Sequence, residues 1–264
     1  MRFVVVAFVL VACSPREARV ARIPEADVGP DTNVPLPPCE DLRADALTVA
    51  MYDFEEVVSG RFSDLVGTND ILASSARLVE GPPGCGQALA IDDATPIYIP
   101  HSATLDLETA TVEFYLRHDG TPVRRDIFSR DAARAMPGHL TMIMNEEHRL
   151  AVRLQGSMRS LRAFFCLDEP LEPDRWYRVA VHVGAGQPQV DIDGVPRPRG
   201  EESGLEMNYF CDTEDRLDIG VEGNAEPWYI GSGRTGADSG ALSPGENPFV
   251  GGAIDALRIS VRRD

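Results

Sequence analysis

The chain has 264 residues, and 25 Lys and Arg against 42 Asp and Glu give it a formal net charge of −17 at pH 7. All of its basic residues are Arg. Such an acidic chain, without a clustered basic surface for phosphate contacts, is not expected to bind nucleic acid. A hydrophobic content of 43% is typical of a folded globular chain, and the length suits one large all-β domain or two small domains.

The first twelve residues have the composition of a secretion signal. Arg2 supplies the positive charge, and the apolar run that follows is shorter than the roughly 20 residues of a membrane-spanning helix. The run ends in Leu10-Val11-Ala12-Cys13, which resembles the lipobox of bacterial lipoproteins. The resemblance implies cleavage before Cys13 and lipid on its thiol. A plain signal peptide that happens to contain a cysteine is the alternative.

Residues 13–38 are expected to tether the domain to a membrane. Six prolines lie in this segment, at positions 15, 24, 30, 35, 37 and 38, and they stiffen the chain and remove backbone donors. Ser14 stands where an inner-membrane retention Asp would follow the lipidated cysteine. We therefore expect a lipid-anchored protein of the bacterial outer membrane, on its periplasmic face or at the cell surface.

From about Ala46 onward, apolar and polar residues alternate, which predicts β-strands. The predicted strands, in chain order, are 47–54, 89–91, 97–99, 111–117, 139–145, 150–154, 162–167, 176–183, 190–192, 217–221, 228–230 and 253–262. An Asp193-Gly194 turn predicts a hairpin end, and only residues 130–136 favour a helical turn. These short strands predict one all-β domain over residues 39–264, folded as a two-sheet antiparallel sandwich.

Four cysteines lie within this domain. In an exported chain, Cys39, Cys85, Cys166 and Cys211 suggest two disulfides, with three possible connectivities. Their order favours Cys39–Cys85 and Cys166–Cys211, because each pair would close a loop within its own half of the domain. A metal site is the alternative, but the sequence has neither C-x-x-C spacing nor paired histidines.

The order of the strands resembles the laminin-G-like jelly-roll family, within the concanavalin A-like lectin/glucanase superfamily. The matching stretches are 52–55, 86–92, 97–100, 111–117, 176–181, 190–194, 217–220 and 249–260. Together they span about 210 residues, from 52 to 260. The resemblance implies a jelly-roll sandwich, but the superfamily includes carbohydrate and protein binders, adhesion modules and glycosidases, so the function depends on the sites.

Three acidic residues are candidate metal ligands. By alternation, Asp255 shares the inward face of Leu257 and Ile259, where a carboxylate is costly unless a cation or several donors satisfy it. Asp53 and Glu55 lie at the end of the first predicted strand. Relatives of this fold often hold Ca²⁺ between their first and last strands, so the resemblance implies one structural Ca²⁺ at these carboxylates. Alternatively, Asp255 accepts backbone hydrogen bonds or pairs with an Arg.

An enzymatic function is not expected. The glucanase branch implies an E-x-D-x-x-E signature, and the nearest stretch, 216–222, has Arg216 at the position of the first acid. Asp218 and Glu222 remain the candidate acids of an alternative glycoside hydrolase. The sequence contains no Gly-x-Ser-x-Gly elbow, His-Glu-x-x-His motif or phosphate loop.

Trp228 and Tyr229 are the candidate ligand contacts. They lie beside the Gly-rich stretch 231–247, and exposed aromatic side chains on loops stack on sugar rings. The alternative is that Trp228 is a core residue. We expect a non-catalytic envelope lipoprotein that binds a glycan or a protein. A glycoside hydrolase and a purely structural envelope protein are the alternatives.

Overall fold

The computed structural model describes residues 42–92, 96–130, 138–155, 162–184, 188–198, 221, 223–235 and 243–262. The chain divides into two units, residues 1–35 and residues 36–264, and all described residues belong to the second unit. Several predictions fall outside the described residues: the secretion signal, the tether, most of the strand at 217–221, Cys13, Cys39, Cys211, Asp218 and Glu222.

The described residues contain eighteen β-strands and a 3-10 helix at Ala103–Leu105. In chain order the strands are β1 (Thr48–Tyr52), β2 (Arg61–Phe62), β3 (Ile71–Ala73), β4 (Arg77–Glu80), β5 (Gln87–Ile91), β6 (Ile97–Ile99), β7 (Ala110–Arg117), β8 (Arg125–Arg130), β9 (His139–Met144), β10 (Leu150–Gln155), β11 (Arg162–Cys166), β12 (Tyr177–Val183), β13 (Gln189–Ile192), β14 (Val195–Pro196), β15 (Trp228–Ile230), β16 (Gly233–Thr235), β17 (Ser243–Glu246) and β18 (Gly252–Val261).

These strands form two large antiparallel sheets. Sheet A has the order β14-β13-β12-β7-β18-β5-β4, and β1 also pairs with β18. Sheet B has the order β11-β10-β9-β8-β15-β6-β3-β2, and β16 and β17 form a separate two-stranded ribbon. The predicted fold class, a two-sheet antiparallel jelly-roll sandwich, is confirmed.

The core lies between the two sheets because alternate residues of each strand point inward. Val112, Phe114 and Leu116 of β7 pack in the same apolar cluster as Met142 of β9 and Trp228 of β15. Each fully buried side chain of this kind contributes roughly 1.5–3 kcal/mol. The alternation that predicted the strands is therefore also what holds the two sheets together.

Two predicted long-range features are confirmed. The first and last strands pair, with Tyr52 opposite Leu257. The strands predicted at 176–183 and 190–192 pair as the hairpin of β12 and β13. The predicted Asp193-Gly194 turn follows, with φ angles of 55° and 77° that are those of a tight primed turn.

The prediction of a helical turn from residue 130 is wrong at its first residue, because Arg130 ends strand β8. Residues 131–137 lie outside the described residues. The alternation rule missed β8 because all six of its residues are buried, so its two faces do not differ in polarity. Strands β2, β3 and β4 were also missed, since each has only two to four residues. No helix in the described ranges is long and apolar enough to cross a membrane.

Candidate functional site

A single row of side chains crosses the outer face of sheet B. Register pairs connect one residue from each of seven neighbouring strands, from β2 to β10: Arg61, Leu72, Tyr98, Tyr229, Ser129, Thr141 and Arg153. The residues that flank the row along the strands, such as Ile97 and Ile99, pack in the core. Because strand side chains alternate, the row itself faces away from the core.

The end of this row at β2 is open. Arg61 is exposed, and Leu72 and Tyr98 are half-buried, whereas Tyr229 is 7% exposed and Ser129 is fully buried. The Ser129 hydroxyl donates a hydrogen bond of 2.9 Å to the carbonyl of Ser232, so the segment after β15 lies over the row at that point. The accessible part therefore extends from β2 to β6.

Tyr98 and Tyr229 form an aromatic pair between neighbouring strands. Their ring centroids are 5.6 Å apart and the ring planes meet at 34°. Buried Tyr229 thus supports the ring of half-buried Tyr98 from one side. Of the two, Tyr98 has the larger exposed surface for a ligand.

A pocket of about 370 Å³ adjoins the open end of the row. Its lining combines aliphatic and polar side chains: Arg61, Thr68, Asn69, Asp70, Leu72, Pro100, His101 and Ser102. Leu72 belongs both to the row and to the pocket, so the two surfaces are continuous. Such a combination of an apolar platform and convergent polar groups is typical of a site for a small polar ligand.

The wall of the pocket around Asn69 is held by several hydrogen bonds. The Asn69 amide donates to Asp64 Oδ2 at 3.3 Å, and its carbonyl oxygen accepts from Thr104 Oγ1 at 3.3 Å. The buried Tyr52 hydroxyl donates to the Asn69 backbone carbonyl. Burial, together with the nearby Asp64 and Asp70, raises the pKa of Tyr52, so its hydroxyl keeps the proton that it donates.

Arg130 supports the part of the pocket wall that contains His101. This fully buried side chain donates to the carbonyl of Leu105 at 3.2 Å and lies 3.4 Å from His101 Nδ1. It also pairs with Asp106 and stacks at 5.2 Å over the Trp228 ring. Both walls of the pocket are therefore anchored in the buried part of the domain.

Trp228 is not a ligand contact, which corrects the prediction. Its side chain is fully buried in the core, where it packs against Phe128 at 5.2 Å. Tyr229 points to the opposite face, as strand alternation requires, and is nearly buried. Sequence reasoning missed Tyr98, although the alternation Ile97-Tyr98-Ile99 predicts an outward Tyr between two core residues.

Asp53, Glu55 and Asp255 line one pocket on the outer face of sheet A. The pocket has a volume of about 300 Å³, and Leu42, Met51, Gly84, Cys85, Gly86 and Ala256 complete its lining. Asp255 lies on β18 where that strand changes partner from β5 to β1. The structure thus brings together the three residues that the sequence singled out.

The prediction that Asp255 faces inward is wrong. Asp255 pairs in register with Tyr115, which packs in a separate cluster with Leu42 and Trp176 outside the main core. The register of β18 then shifts between Asp255 and Arg258, and Ala256 has a φ of 48°. This β-bulge interrupts the alternation, so Asp255 does not share the face of the core residue Leu257.

The Asp255 carboxyl is 1% exposed and incompletely paired. Oδ1 accepts a 2.8 Å hydrogen bond from the Ala256 N–H, whereas Oδ2 has no hydrogen-bond partner in the part of the chain that the structure describes. Burial, together with the negative charges of Glu55 and Asp53, raises the pKa of Asp255 to about 8. Among the described residues, no cationic side chain pairs with this carboxyl.

The carboxyl oxygens of Asp53, Glu55 and Asp255 are chemically suitable ligands for a calcium ion. The pocket presents three carboxylates, and Ca²⁺ takes six to eight oxygen ligands. Among the described residues, no three acidic, His or Cys side chains form a preassembled metal site. Asp53 and Glu55 are exposed side chains that can rotate, and the unpaired oxygen of Asp255 is the observation that favours a cation.

A further pocket of about 300 Å³ lies on the outer face of sheet A and includes Thr111, Glu113, Arg178, His182, Asp191 and Arg258. Its charged groups satisfy one another. Glu113 accepts from Arg178 at 3.0 Å and from Arg258 at 2.9 Å, and His182 lies 3.2 Å from Asp191. This network is typical of a solvated sheet face, so it is a weaker candidate for a ligand site.

Two of the four domain cysteines lie within the described residues: Cys85 lines the Asp255 pocket, and Cys166 ends β11. Cys39 and Cys211 lie outside the described residues, so the pairing Cys39–Cys85 and Cys166–Cys211 stays a prediction.

No protein-family model and no curated protein matches the chain. Solved structures do match its fold. Domain 4 of a GH43 extracellular arabinanase from Geobacillus stearothermophilus, in complex with arabinotriose, has a TM-score of 0.56 and 16% identity, over 83% of this chain and 94% of that domain. Trypanosoma rangeli sialidase in complex with sialic acid has a TM-score of 0.55 and 14% identity over 84% of this chain.

This chain spans only 32% of that sialidase. Botulinum neurotoxin type C, a toxin that interacts with two ganglioside molecules, has a TM-score of 0.53 and 9% identity, over 83% of this chain and 49% of the toxin chain. At these identities the likeness shows the fold alone. The chain folds as a β-sandwich of the kind found in these three proteins.

Proposed function

We propose that this chain binds carbohydrate at the open end of the row on sheet B. The observation that carries the proposal is the half-buried Tyr98, held by Tyr229 and continuous through Leu72 with a polar pocket. Arabinotriose, sialic acid and gangliosides are the molecules associated with the three structural neighbours, which supports a carbohydrate as the class of ligand. We also propose a laminin-G-like domain, as the order of the strands implies.

The chemistry of the site suits a sugar ring. A sugar has an apolar face of C–H groups and a rim of hydroxyls. The Tyr98 ring and the Leu72 side chain offer an apolar surface for that face. Asp70 and Ser102 line the neighbouring pocket and can accept hydrogen bonds from the hydroxyls.

The test is a glycan array with the full chain, followed by titration of each glycan that binds. Tyr98→Ala should weaken binding at least tenfold, because it removes the stacking surface, whereas Tyr98→Phe should retain most of the affinity. Val195→Ala, at an exposed position on sheet A, is the matched control and should change nothing. Equal binding by Tyr98→Ala and the unchanged chain would contradict the proposal. Binding to no glycan would favour a purely structural envelope protein.

We propose that binding occurs without turnover. Asp218 and Glu222 are the acids to test for the alternative glycoside hydrolase. Incubation of each bound glycan with the full chain should release no new reducing ends. Release that is abolished by Asp218→Asn or Glu222→Gln would favour the hydrolase instead.

We propose that the protein is lipid-anchored through Cys13 in the bacterial outer membrane. Cells fed labelled palmitate should incorporate the label into the unchanged chain and not into Cys13→Ser. Fractionation should place the protein with outer-membrane markers, and surface protease treatment distinguishes the periplasmic face from the cell surface. Unlabelled protein would favour the plain signal peptide.

We propose that one Ca²⁺ stabilises the domain at Asp53, Glu55 and Asp255. A ligand that binds only the folded state at 100 times its Kd stabilises by about 2.7 kcal/mol, which raises the Tm of a domain of this size by roughly 5–10 °C. EDTA should therefore lower the Tm, and Asp255→Asn should erase the difference. Asp191→Asn, which removes a carboxylate elsewhere on sheet A, should preserve it. Identical melts with Ca²⁺ and with EDTA would refute the site.

A further inference from the structure

We infer that the glycan bound at the Tyr98 site is neutral, and that Asp70 both recognises its hydroxyls and rejects anionic sugars. The inference rests on the proposed function and adds the class of sugar. The structural neighbours leave this open, because they are associated with a neutral arabinotriose in one case and with sialic acid or gangliosides in the others. The charges in and around the pocket decide between the two classes.

The one cationic side chain of the described pocket lining that carries a fixed charge already has a counterion there. Arg61 Nη1 lies 3.9 Å from Asp70 Oδ2, and both side chains are partly exposed. Because these two charges cancel, the lining offers no net positive charge to a carboxylate or sulfate. An anionic sugar that reached Arg61 would also have to approach the carboxylate of Asp70.

A carboxylate of the ligand and the carboxylate of Asp70 would repel each other. Two like charges about 4 Å apart repel by about 1 kcal/mol in bulk water and by several times more near a protein surface.

Asp70 is equipped to accept sugar hydroxyls. Its Oδ1 accepts the Asp64 backbone N–H at 3.2 Å, which fixes the orientation of the carboxylate, and the side chain is 38% exposed. A carboxylate has about four acceptor positions and no donor, so further positions can receive O–H donors. Hydrogen bonds of this charge-assisted kind are about twice as strong as neutral ones. A sugar carboxylate has no hydrogen to donate.

The charge of the whole chain acts in the same direction. A formal net charge of −17 creates a negative field that lowers the local concentration of polyanions. This part of the discrimination is long-range, so salt screens it, whereas the contact with Asp70 is local and persists in salt.

The experiment titrates the full chain with matched sugars, α-1,4-linked galactotriose and trigalacturonate, and with arabinotriose, at low and at high ionic strength. The neutral sugars should bind at least tenfold more tightly than trigalacturonate at low salt. Asp70→Asn should weaken neutral binding at least fivefold and narrow the ratio between the two classes. Asp191→Asn, which removes the same charge from sheet A, should leave that ratio unchanged.

Arg61→Gln is the second variant and keeps the inference testable if Asp70→Asn does not fold. It removes the counterion, so trigalacturonate should bind no better and neutral sugars should still bind. Tighter binding of trigalacturonate than of galactotriose, selectively lost in Arg61→Gln, would overturn the inference and leave carbohydrate binding intact. A ratio unchanged by Asp70→Asn would also overturn it. Absence of binding to every sugar on the array would instead refute the proposed function.

Discussion

Two buried ionisable side chains, Arg130 and Asp255, have opposite surroundings. Arg130 is fully buried at the end of β8 and donates to the carbonyls of Leu105, Val221 and Asn224. It also pairs with Asp106. Asp255 is buried to the same degree on β18, yet one of its oxygens accepts no hydrogen bond within the described part of the chain.

The difference separates a structural role from a binding role. A buried charge is tolerated when its partners satisfy it, and Arg130 joins the 3-10 helix, strand β8 and the segment before β15 through such partners. A buried carboxylate with an unpaired oxygen is costly unless something else completes it. The first arrangement stabilises the fold by itself, whereas the second favours an additional ligand.

Arg130→Met should have the largest effect. Methionine has a similar length but no donors, so Asp106 and four backbone carbonyls, those of Leu105, Val221, Asn224 and Glu226, would lose their shared partner. Removing one member of a buried ionic network costs about 3–5 kcal/mol. Chemical denaturation should show this loss in the free energy of unfolding. A loss below about 1 kcal/mol would mean that Arg130 is not the structural link that its contacts indicate.

Asp255→Asn, in contrast, should raise the free energy of unfolding when calcium is absent. Above about pH 8, where Asp255 is ionised, a neutral amide is cheaper to bury than a carboxylate with an unpaired oxygen, so in EDTA at such a pH the variant should gain about 1–2 kcal/mol. The measurement is denaturation of both proteins in EDTA, with Asp191→Asn as the control. A marked loss of stability in EDTA would show that Asp255 is already satisfied by protein groups alone.

The contrast also explains what the sequence could predict. Alternation predicted most of the longer strands, and the resemblance to laminin-G-like domains implied the pairing of the first and last strands, which groups Asp53 and Glu55 with Asp255. It failed for the face of Asp255 because a β-bulge with a positive φ at Ala256 interrupts the period of two. Nothing in the local sequence marks such a bulge.

The candidate ligand site was predicted less well. Trp228 lies next to Tyr229, and a strand of three residues gives too little pattern to tell the inward from the outward member. Tyr98 could have been found from its two Ile neighbours. The pocket beside it could not, because Arg61 of β2 and the loop residues Asp70 and His101 come from separate segments that only the paired strands bring together.

His118 is a third buried titratable group, and its contacts fit one protonation state. Its Nδ1 accepts the Gly120 N–H at 3.2 Å, and its Nε2 lies 3.2 Å from the Leu171 carbonyl, to which it donates. Burial lowers the pKa of His118, so the folded state favours the neutral ring. Below about pH 6.5 the unfolded state binds the extra proton first, so stability should decrease as the pH falls.

Protonation would remove the Gly120 hydrogen bond, which contributes about 1 kcal/mol. Thermal melts of the unchanged chain between pH 5 and pH 8 should therefore show a falling Tm on the acidic side. His118→Gln does not titrate and keeps a donor for the Leu171 carbonyl, so its profile should be flatter. Parallel profiles of the two proteins would rule out His118 as the source.

Alanine substitutions at Gly84 and Gly86 have the smallest expected effect on stability and give the most selective test of the Asp255 pocket. Both have a left-handed φ, of 81° and 78°, so an alanine at either position carries similar backbone strain, about 1 kcal/mol. A Cβ at Gly86 would fall on the Glu55 carboxylate, whereas a Cβ at Gly84 would meet no atom within 4 Å. The two variants should therefore lose similar stability in EDTA. Calcium should restore stability fully to Gly84→Ala and only partly to Gly86→Ala, since that variant displaces a proposed ligand. Equal recovery of the two variants would remove Glu55 from the calcium site.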